Sequence, residues 1–298
     1  MINIKEIKSV KLASFTKMTA SIYGILGFIA ALVMLVALLI MQATGVIPQM
    51  APQLGQFNFV TGLGIPLLVL LPIGAFFITI VVSLFSVMIY NVLVPKLGGI
   101  KLELEGEDVV KIPVISWALI LSAIGAIWAF IIGVLTAALI APLFSIISTP
   151  SIAANITANL TNTTGTAIPN DAALGSAGII LALFLVIGLP ILVFVFGFIS
   201  NALFALFYNY IVARAIKIKL EFANITGSLH ELKHIPVIPT ALAVALVYTL
   251  LGIISGILNG NYIEFITNFV FYFIETALIA LLYNYLAPKI GSIKLNLE

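Results

Sequence analysis

YNVLVPKLGGIKLELE, residues 90–105, decides the fold. Tyr90 and Asn91 close an apolar run, Lys96 comes next, Gly98 and Gly99 break the helix, and Ile100, Leu102 and Leu104 then alternate with Lys101, Glu103 and Glu105. Period-two alternation of this kind predicts a half-buried strand leaving a helix. The same text returns as YNYIVARAIKIKLEF from Tyr208, with Asn209, and as YNYLAPKIGSIKLNLE from Tyr283, with Asn284. INIKEI from Ile2 reads as a weaker fourth copy of the strand. The segment downstream of each strand is repeated too, as VKIPVI from Val110, HIPVI from His234 and more loosely VKLASF from Val10. Proline suits a first helical turn because its missing N–H needs no partner there. Pro113 and Pro236 therefore predict where new helices begin.

Between these markers lie six uncharged or nearly uncharged apolar stretches, Ala20 to Met41, Ile65 to Leu93, Val114 to Ala141, Gly178 to Ile211, Ile238 to Leu258 and Ile263 to Leu286. Each is long enough for a bilayer core, which takes roughly 20 helical residues. With 62% apolar and 8% charged residues and a mean hydropathy of +1.27, the chain is no ordinary soluble domain. A net charge of +2 excludes the concentrated positive surface that nucleic acid requires, so no nucleic-acid partner is expected. The absence of cysteine removes thiolate chemistry and disulfides.

All thirteen basic residues fall on one side of the spans: Lys5, Lys8, Lys11 and Lys17 before the first, Lys96, Lys101 and Lys111 between the second and third, Arg214, Lys217, Lys219 and Lys233 between the fourth and fifth, and Lys289 and Lys294 after the sixth. Cationic loops stay in the cytoplasm, so both termini are expected there, in a multi-pass plasma-membrane protein of prokaryotic, archaeal type. The opposite loop, 142–177, carries three sequons at Asn155, Asn159 and Asn162, which fit an exterior, glycosylated face. The unit is thus strand, helix, exterior loop, helix, Tyr-Asn. Two spans per unit make successive copies parallel.

The expected fold is therefore an all-α integral membrane protein of six transmembrane helices in three parallel hairpins with pseudo-threefold symmetry and short cytoplasmic strands. It forms one membrane domain over 1–298, with repeats at about 1–98, 99–214 and 215–290 and a closing strand at 291–298. The strands are expected to pair into a sheet under the helices. Pro72 and Pro190, each eighteen residues before its Tyr-Asn pair, predict a kink or turn. The Tyr-Asn pairs themselves read as interfacial anchors and helix-packing residues.

The lead-in SVKLASFTK, from Ser9, and the exit YN with its downstream GGIKLEL resemble an uncharacterised two-span transmembrane family best known from actinobacteria, a domain of unknown function. The resemblance covers one repeat at a time and is best over 80–105. This chain departs from that family's layout in carrying three copies, and its second copy has Ala215 and Ile216 where the first has Gly98 and Gly99. The resemblance implies topology. It brings no activity.

Two places hold residues with chemical potential. HELKH, His230 to His234, satisfies the HExxH pattern, in which two histidines one helical turn apart bind zinc and Glu231 activates water. Against it stand Pro236 just downstream and the lack of any third histidine. Ser228 with Glu231 also forms a capping-box pattern at a helix start, and the helix-cap linker is the preferred reading. No metal, no cofactor and no enzymatic activity are expected. The other place is Glu275, near the middle of the sixth span, where an ionisable side chain is costly and marks a cation or proton site or a packed hydrogen bond. Thr249 on span five, and Ser83 and Asn201, which align with Thr276 across the repeats, are its candidate polar partners. The acidic run Glu103, Glu105, Glu107, Asp108 reads as a solvated strand face on which a basic partner could dock. The expected function is a non-enzymatic membrane scaffold or assembly subunit, with membrane lipid and a second copy or a membrane complex as partners. Alternatives are a cation or proton channel or transporter through Glu275 and, last, an HExxH protease.

Overall fold

In the computed structural model, residues 2–45, 58, 60–147, 178–261 and 263–298 are described. Six helices are long and apolar enough to cross a membrane. They are α1 (Leu12–Ala43), α2 (Ile65–Leu97), α3 (Val114–Ile147), α4 (Leu189–Phe207), α5 (Val237–Asn259) and α6 (Glu264–Ile290). All match the apolar stretches read from sequence. Helix α3 continues to Ile147, so the polar loop begins later than residue 142, because Pro142 to Ile147 still suits a helix end. The sequons at Asn155, Asn159 and Asn162 lie outside the described residues.

Pro113 immediately precedes α3, and Pro236 is the N-cap of α5. The two interior prolines behave differently. The chain passes through Pro72 without leaving α2, whereas Pro190 comes just after a π turn at Phe184–Gly188. A π turn absorbs one extra residue and re-routes the carbonyls that a proline leaves without a donor. Two further π turns lie at Val60–Gly64, just before α2, and at Tyr208–Val212, where α4 ends.

Seven strands form a single sheet, which is more β-structure than the all-α expectation allowed. They are β1 (Ile2–Val10), β2 (Ile100–Glu105), β3 (Asp108–Lys111), β4 (Ile218–Lys219), β5 (Glu221–Thr226), β6 (Leu229–His234) and β7 (Lys294–Leu297). The order is β4-β3-β2-β1-β7-β6-β5, and every pair is antiparallel. The two outermost strands, β4 and β5, are consecutive in the chain and joined by Leu220 alone, whose N–H bonds the Glu107 carbonyl. The sheet therefore curls until its ends meet. A curled sheet leaves almost no open edge to recruit another strand.

Strand β2, the split strand β4/β5 and strand β7 are the exit segments read from sequence. β3 and β6, and β1 with them, are lead-in segments that run into a helix. Two of these lead-ins fold back as tight hairpins. Glu105 pairs Asp108 across Gly106-Glu107, and Thr226 pairs Leu229 across Gly227-Ser228. The first loop residue has φ +67° in one and +55° in the other, which only glycine tolerates easily, and this fits the type II′ turn of right-twisted hairpins. INIKEI is consequently no fourth exit strand. It runs antiparallel to β2 and opens α1.

The chain divides into two compact units, residues 1–116 with 204–298, and residues 117–203. In the first, α1 packs along α2 and also touches α6, which packs along α5. Small residues permit the α1–α2 approach: a Cβ at Gly27 would stand 3.0 Å from the Ala75 Cβ and from the Leu71 carbonyl oxygen. Next to the sheet, Met18 and Ile22 of α1 close on Tyr283, Leu286 and Ala287 of α6, with Leu232 of β6 and Ile293, just before β7, packed against them. In the second unit, Gly133 lets α3 approach the Leu185 carbonyl so closely that a methyl group there would overlap it.

Thr16, 9% exposed in α1, has a hydroxyl oxygen with no hydrogen-bond partner among the described residues. Exchanging a buried, unpartnered hydroxyl for a methyl of the same shape removes a desolvation cost and loses no bond. Thr16→Val is expected to leave the melting temperature in detergent unchanged or to raise it, by up to about 1 kcal/mol of stability. A marked fall on thermal denaturation would show that the hydroxyl is engaged.

Candidate functional site

The Tyr-Asn pairs bond the backbone of the lead-in strands. Each of the three asparagines grips the backbone of one residue, and that residue lies two positions before a helix begins. Asn91 Nδ2 donates to the Val10 carbonyl while the Val10 N–H donates to Asn91 Oδ1, both at 2.9 Å. Asn209 holds Ile112 in the same way, both bonds at 2.8 Å, and Asn284 holds Ile235 at 2.7 and 2.9 Å. At a strand-to-helix junction these backbone groups have lost the ladder and have no helical partner yet, so they need a substitute. A carboxamide presents one donor and one acceptor side by side, as a neighbouring strand would.

The tyrosines act three residues earlier on the same strands. Tyr90, Tyr208 and Tyr283 donate their hydroxyls to the carbonyls of Ile7, Val109 and Leu232. Tyr90 and Tyr283 also accept from the N–H of Ile100 and Ile293, each ten residues downstream. All three rings are at least 94% buried, so each hydroxyl bond is made away from water. One Tyr-Asn pair thus ties the end of one helix to the lead-in strand of its unit.

Gly99 crosses β1 so closely that a Cβ would overlap the Ile7 carbonyl, and its N–H donates to Glu6 Oε1 at 2.7 Å. Burial works to raise the Glu6 carboxyl, but the Gly99 N–H and the Lys8 ammonium, 3.3 Å away, outweigh it and hold the group below the ordinary carboxylate range. A carboxyl depressed in the folded state adds stability above its unfolded value, about 4.3, and that stability is lost as pH falls through the folded value. Glu6→Gln is expected to lower the melting temperature at pH 7. The gap to the parent protein should narrow below about pH 4, where the parent's carboxyl also becomes neutral. A gap independent of pH would contradict the assignment.

HELKH is not a helix start. Leu229–His234 is strand β6, paired with β5 and β7, because Gly227-Ser228 turns the chain back on itself. On a strand, residues four apart lie about 13 Å from each other, too far for His230 and His234 to share an ion. His230 instead meets the Ser228 carbonyl through Nδ1 at 2.8 Å and the Asn224 amide at 3.3 Å, and Glu231 pairs with Lys233. The capping-box reading of Ser228 and Glu231 falls with the helix. Among the described residues no group of three His, Asp or Glu side chains is placed to hold a metal ion.

The acidic run is largely neutralised by the chain itself. Glu103 pairs with Lys111 at 3.3 Å, Glu107 with Lys219 at 3.0 Å and Asp108 with Lys217 at 3.7 Å. Exposed pairs of this type add little stability, but they leave less net charge for a basic partner.

Glu275 occupies one turn of α6 beside a groove of about 910 Å³ bounded by α1, α2 and α6. Its lining is apolar except for Tyr23, Thr267 and Glu275 itself. Tyr23 lines the same groove as Glu275, and Tyr248 of α5 stacks on Tyr272 of α6 with ring centroids 3.8 Å apart. The polar groups expected around Glu275 are spent on their own helices. Ser83 donates to the Thr79 carbonyl at 2.6 Å, Thr249 to the Ala245 carbonyl at 2.7 Å, and Asn201 to the Gly197 carbonyl at 2.8 Å. Thr276 is half-buried beside Glu275. Tyr23 and Glu6 are not legible as site residues in the sequence. A tyrosine within an apolar span is the one available signal for the first, and nothing announces the second.

Comparison with protein-family models, with curated proteins and with solved structures finds no match to this chain.

Proposed function

We propose that this is a non-enzymatic, multi-pass plasma-membrane scaffold or assembly subunit. Three parallel helical hairpins, each resembling the two-span family and related by pseudo-threefold symmetry, stand on a cytoplasmic collar of strands. Both termini lie in the cytoplasm. The observation that carries the reading is the triple clamp: Asn91, Asn209 and Asn284 hold Val10, Ile112 and Ile235 by the same pair of bonds. The strand pairing supports it as well, since each exit strand lies between the lead-in strand of its own unit and that of the next. β2 lies between β1 and β3, β7 lies between β6 and β1, and the split strand β4/β5 meets β3 and β6. The side chains of all three Tyr-Asn pairs are consumed in welding helix ends to the collar. The surface that remains outward is apolar helix, the part that meets lipid, a second copy or other membrane subunits.

Affinity purification from native membranes in a mild detergent tests the proposal. A stoichiometric membrane partner or a stable homo-oligomer is the expected result, and a protein that emerges alone and monomeric contradicts it.

A cation or proton pathway is the second reading, on the single observation that a carboxyl sits inside span six. The apolar lining of the groove beside Glu275 favours the scaffold, because an ion path needs successive polar groups. Liposomes carrying the protein should show no more flux than protein-free liposomes under voltage or pH gradients. Flux that is abolished by Glu275→Gln would reverse the ranking.

A further inference from the structure

The groove beside Glu275 has a size, a shape and one charge, and none of these is explained by the scaffold. At about 910 Å³ it lies at the upper end of the range for small-molecule sites and far exceeds a packing defect. Its long walls come from α1, between Tyr23 and Met34, and from α6, between Ile266 and Leu278, so it would take an elongated apolar body. Among the described residues no Lys, Arg or His lines it. The carboxyl of Glu275 makes no hydrogen bond or ion pair to any described residue. An acid in an apolar span normally faces a partner, because ionised and alone it is expensive. Here the neighbours are aromatic. Tyr23 of α1 and Phe271 of α6 line the groove with it.

We propose that this groove binds a lipophilic organic cation, an apolar body lying along α1 and α6 with its positive head against Glu275. The carboxylate supplies the countercharge and the Tyr23 and Phe271 rings of the lining supply cation–π attraction, which strengthens when the cation is desolvated. The apolar walls take the body by the hydrophobic effect, and the absence of any basic side chain from the lining leaves the carboxylate free for the ligand. This site is independent of the clamp and goes beyond the scaffold reading.

The test uses the full-length protein in lipid nanodiscs with tetraphenylphosphonium as the cationic probe and triphenylphosphine oxide as a neutral probe of similar shape. Saturable binding of the cation is expected, and Glu275→Gln should weaken it roughly tenfold or more while changing binding of the neutral probe less than about twofold. Ala30→Trp, which fills the groove and leaves the carboxyl in place, should abolish saturable binding of both probes. An unchanged melting temperature shows that each variant is folded. Three results would overturn the proposal: no saturable binding of the cation, equal binding to the parent and to Glu275→Gln, or equal loss of both probes in Glu275→Gln. If Glu275→Gln does not fold, cation binding that survives Ala30→Trp overturns it alone.

Discussion

Removing residues 292–298 is expected to destabilise the protein more than any single substitution. The lost segment contains β7, which lies between β1 and β6 and is the link that closes the sheet on that side. Its Leu295 and Leu297 are 7% and 4% exposed, and their burial alone is worth about 3–6 kcal/mol. Backbone bonds go with them. Glu6 and Glu298 exchange N–H and carbonyl in both directions, at 2.6 and 3.0 Å, and the Leu297 N–H donates to Ser228. Ser14 at the start of α1 loses the Lys294 N–H that donates to its hydroxyl at 3.1 Å. Two strands would be left with raw edges, the condition that invites aggregation. A drop in melting temperature of about 10 °C or more, with a lower monodisperse yield, is the expected result. A truncated chain that melts with the parent protein would mean that the sheet carries no part of the stability.

The second large effect falls on a single side chain. Asn209→Leu keeps the volume and removes both bonds to Ile112, leaving a backbone N–H and a carbonyl without partners where β3 hands over to α3. Each such group costs about 1–3 kcal/mol when water cannot reach it, so a loss of about 2–4 kcal/mol is expected. Asn91→Leu and Asn284→Leu should cost similar amounts, since the geometry at Val10 and Ile235 is the same. Asn→Asp is the informative companion, because the protonated carboxyl still offers one donor and one acceptor whereas the ionised carboxylate keeps only acceptors. Its loss should be small at a pH where the acid is neutral and should grow as the acid ionises. Three equal losses support one device used three times. A loss at one site only, measured by thermal denaturation in the same detergent, would break the equivalence.

The parts of the fold that are legible in sequence are those that depend on local pattern. The six apolar runs become six helices because nothing else satisfies backbone groups over that length in lipid. Ile100–Glu105 reads as a strand and is one, since its alternation is unbroken. The lead-in strands are hidden for a physical reason. β6 reads Leu-His-Glu-Leu-Lys-His, which has leucines three apart, and the pairing with β5 slips its register twice, so the period-two signal is lost. The same spacing makes HELKH look helical, and a glycine turn at residue 227 decides the matter instead. The role of the Tyr-Asn pairs is hidden because each asparagine acts on a residue 49 to 97 positions away. Repetition marks the pairs as important without saying what they touch. Glu275 stands out by the cost of its charge alone, but its surroundings depend on how α1 lies against α6, which no local pattern encodes.

Because the chain has no cysteine, topology can be read from single cysteines placed one at a time and challenged with a membrane-impermeant maleimide. The decisive set puts a cysteine for Lys101, Lys219 and Lys294 in the strand collar and for Gly45 and Asn261 at the opposite helix ends. In intact cells labelling is expected at 45 and 261 only, with the collar positions reacting once the membrane is permeabilised. A collar position that labels from outside would contradict a cytoplasmic sheet carrying three parallel hairpins.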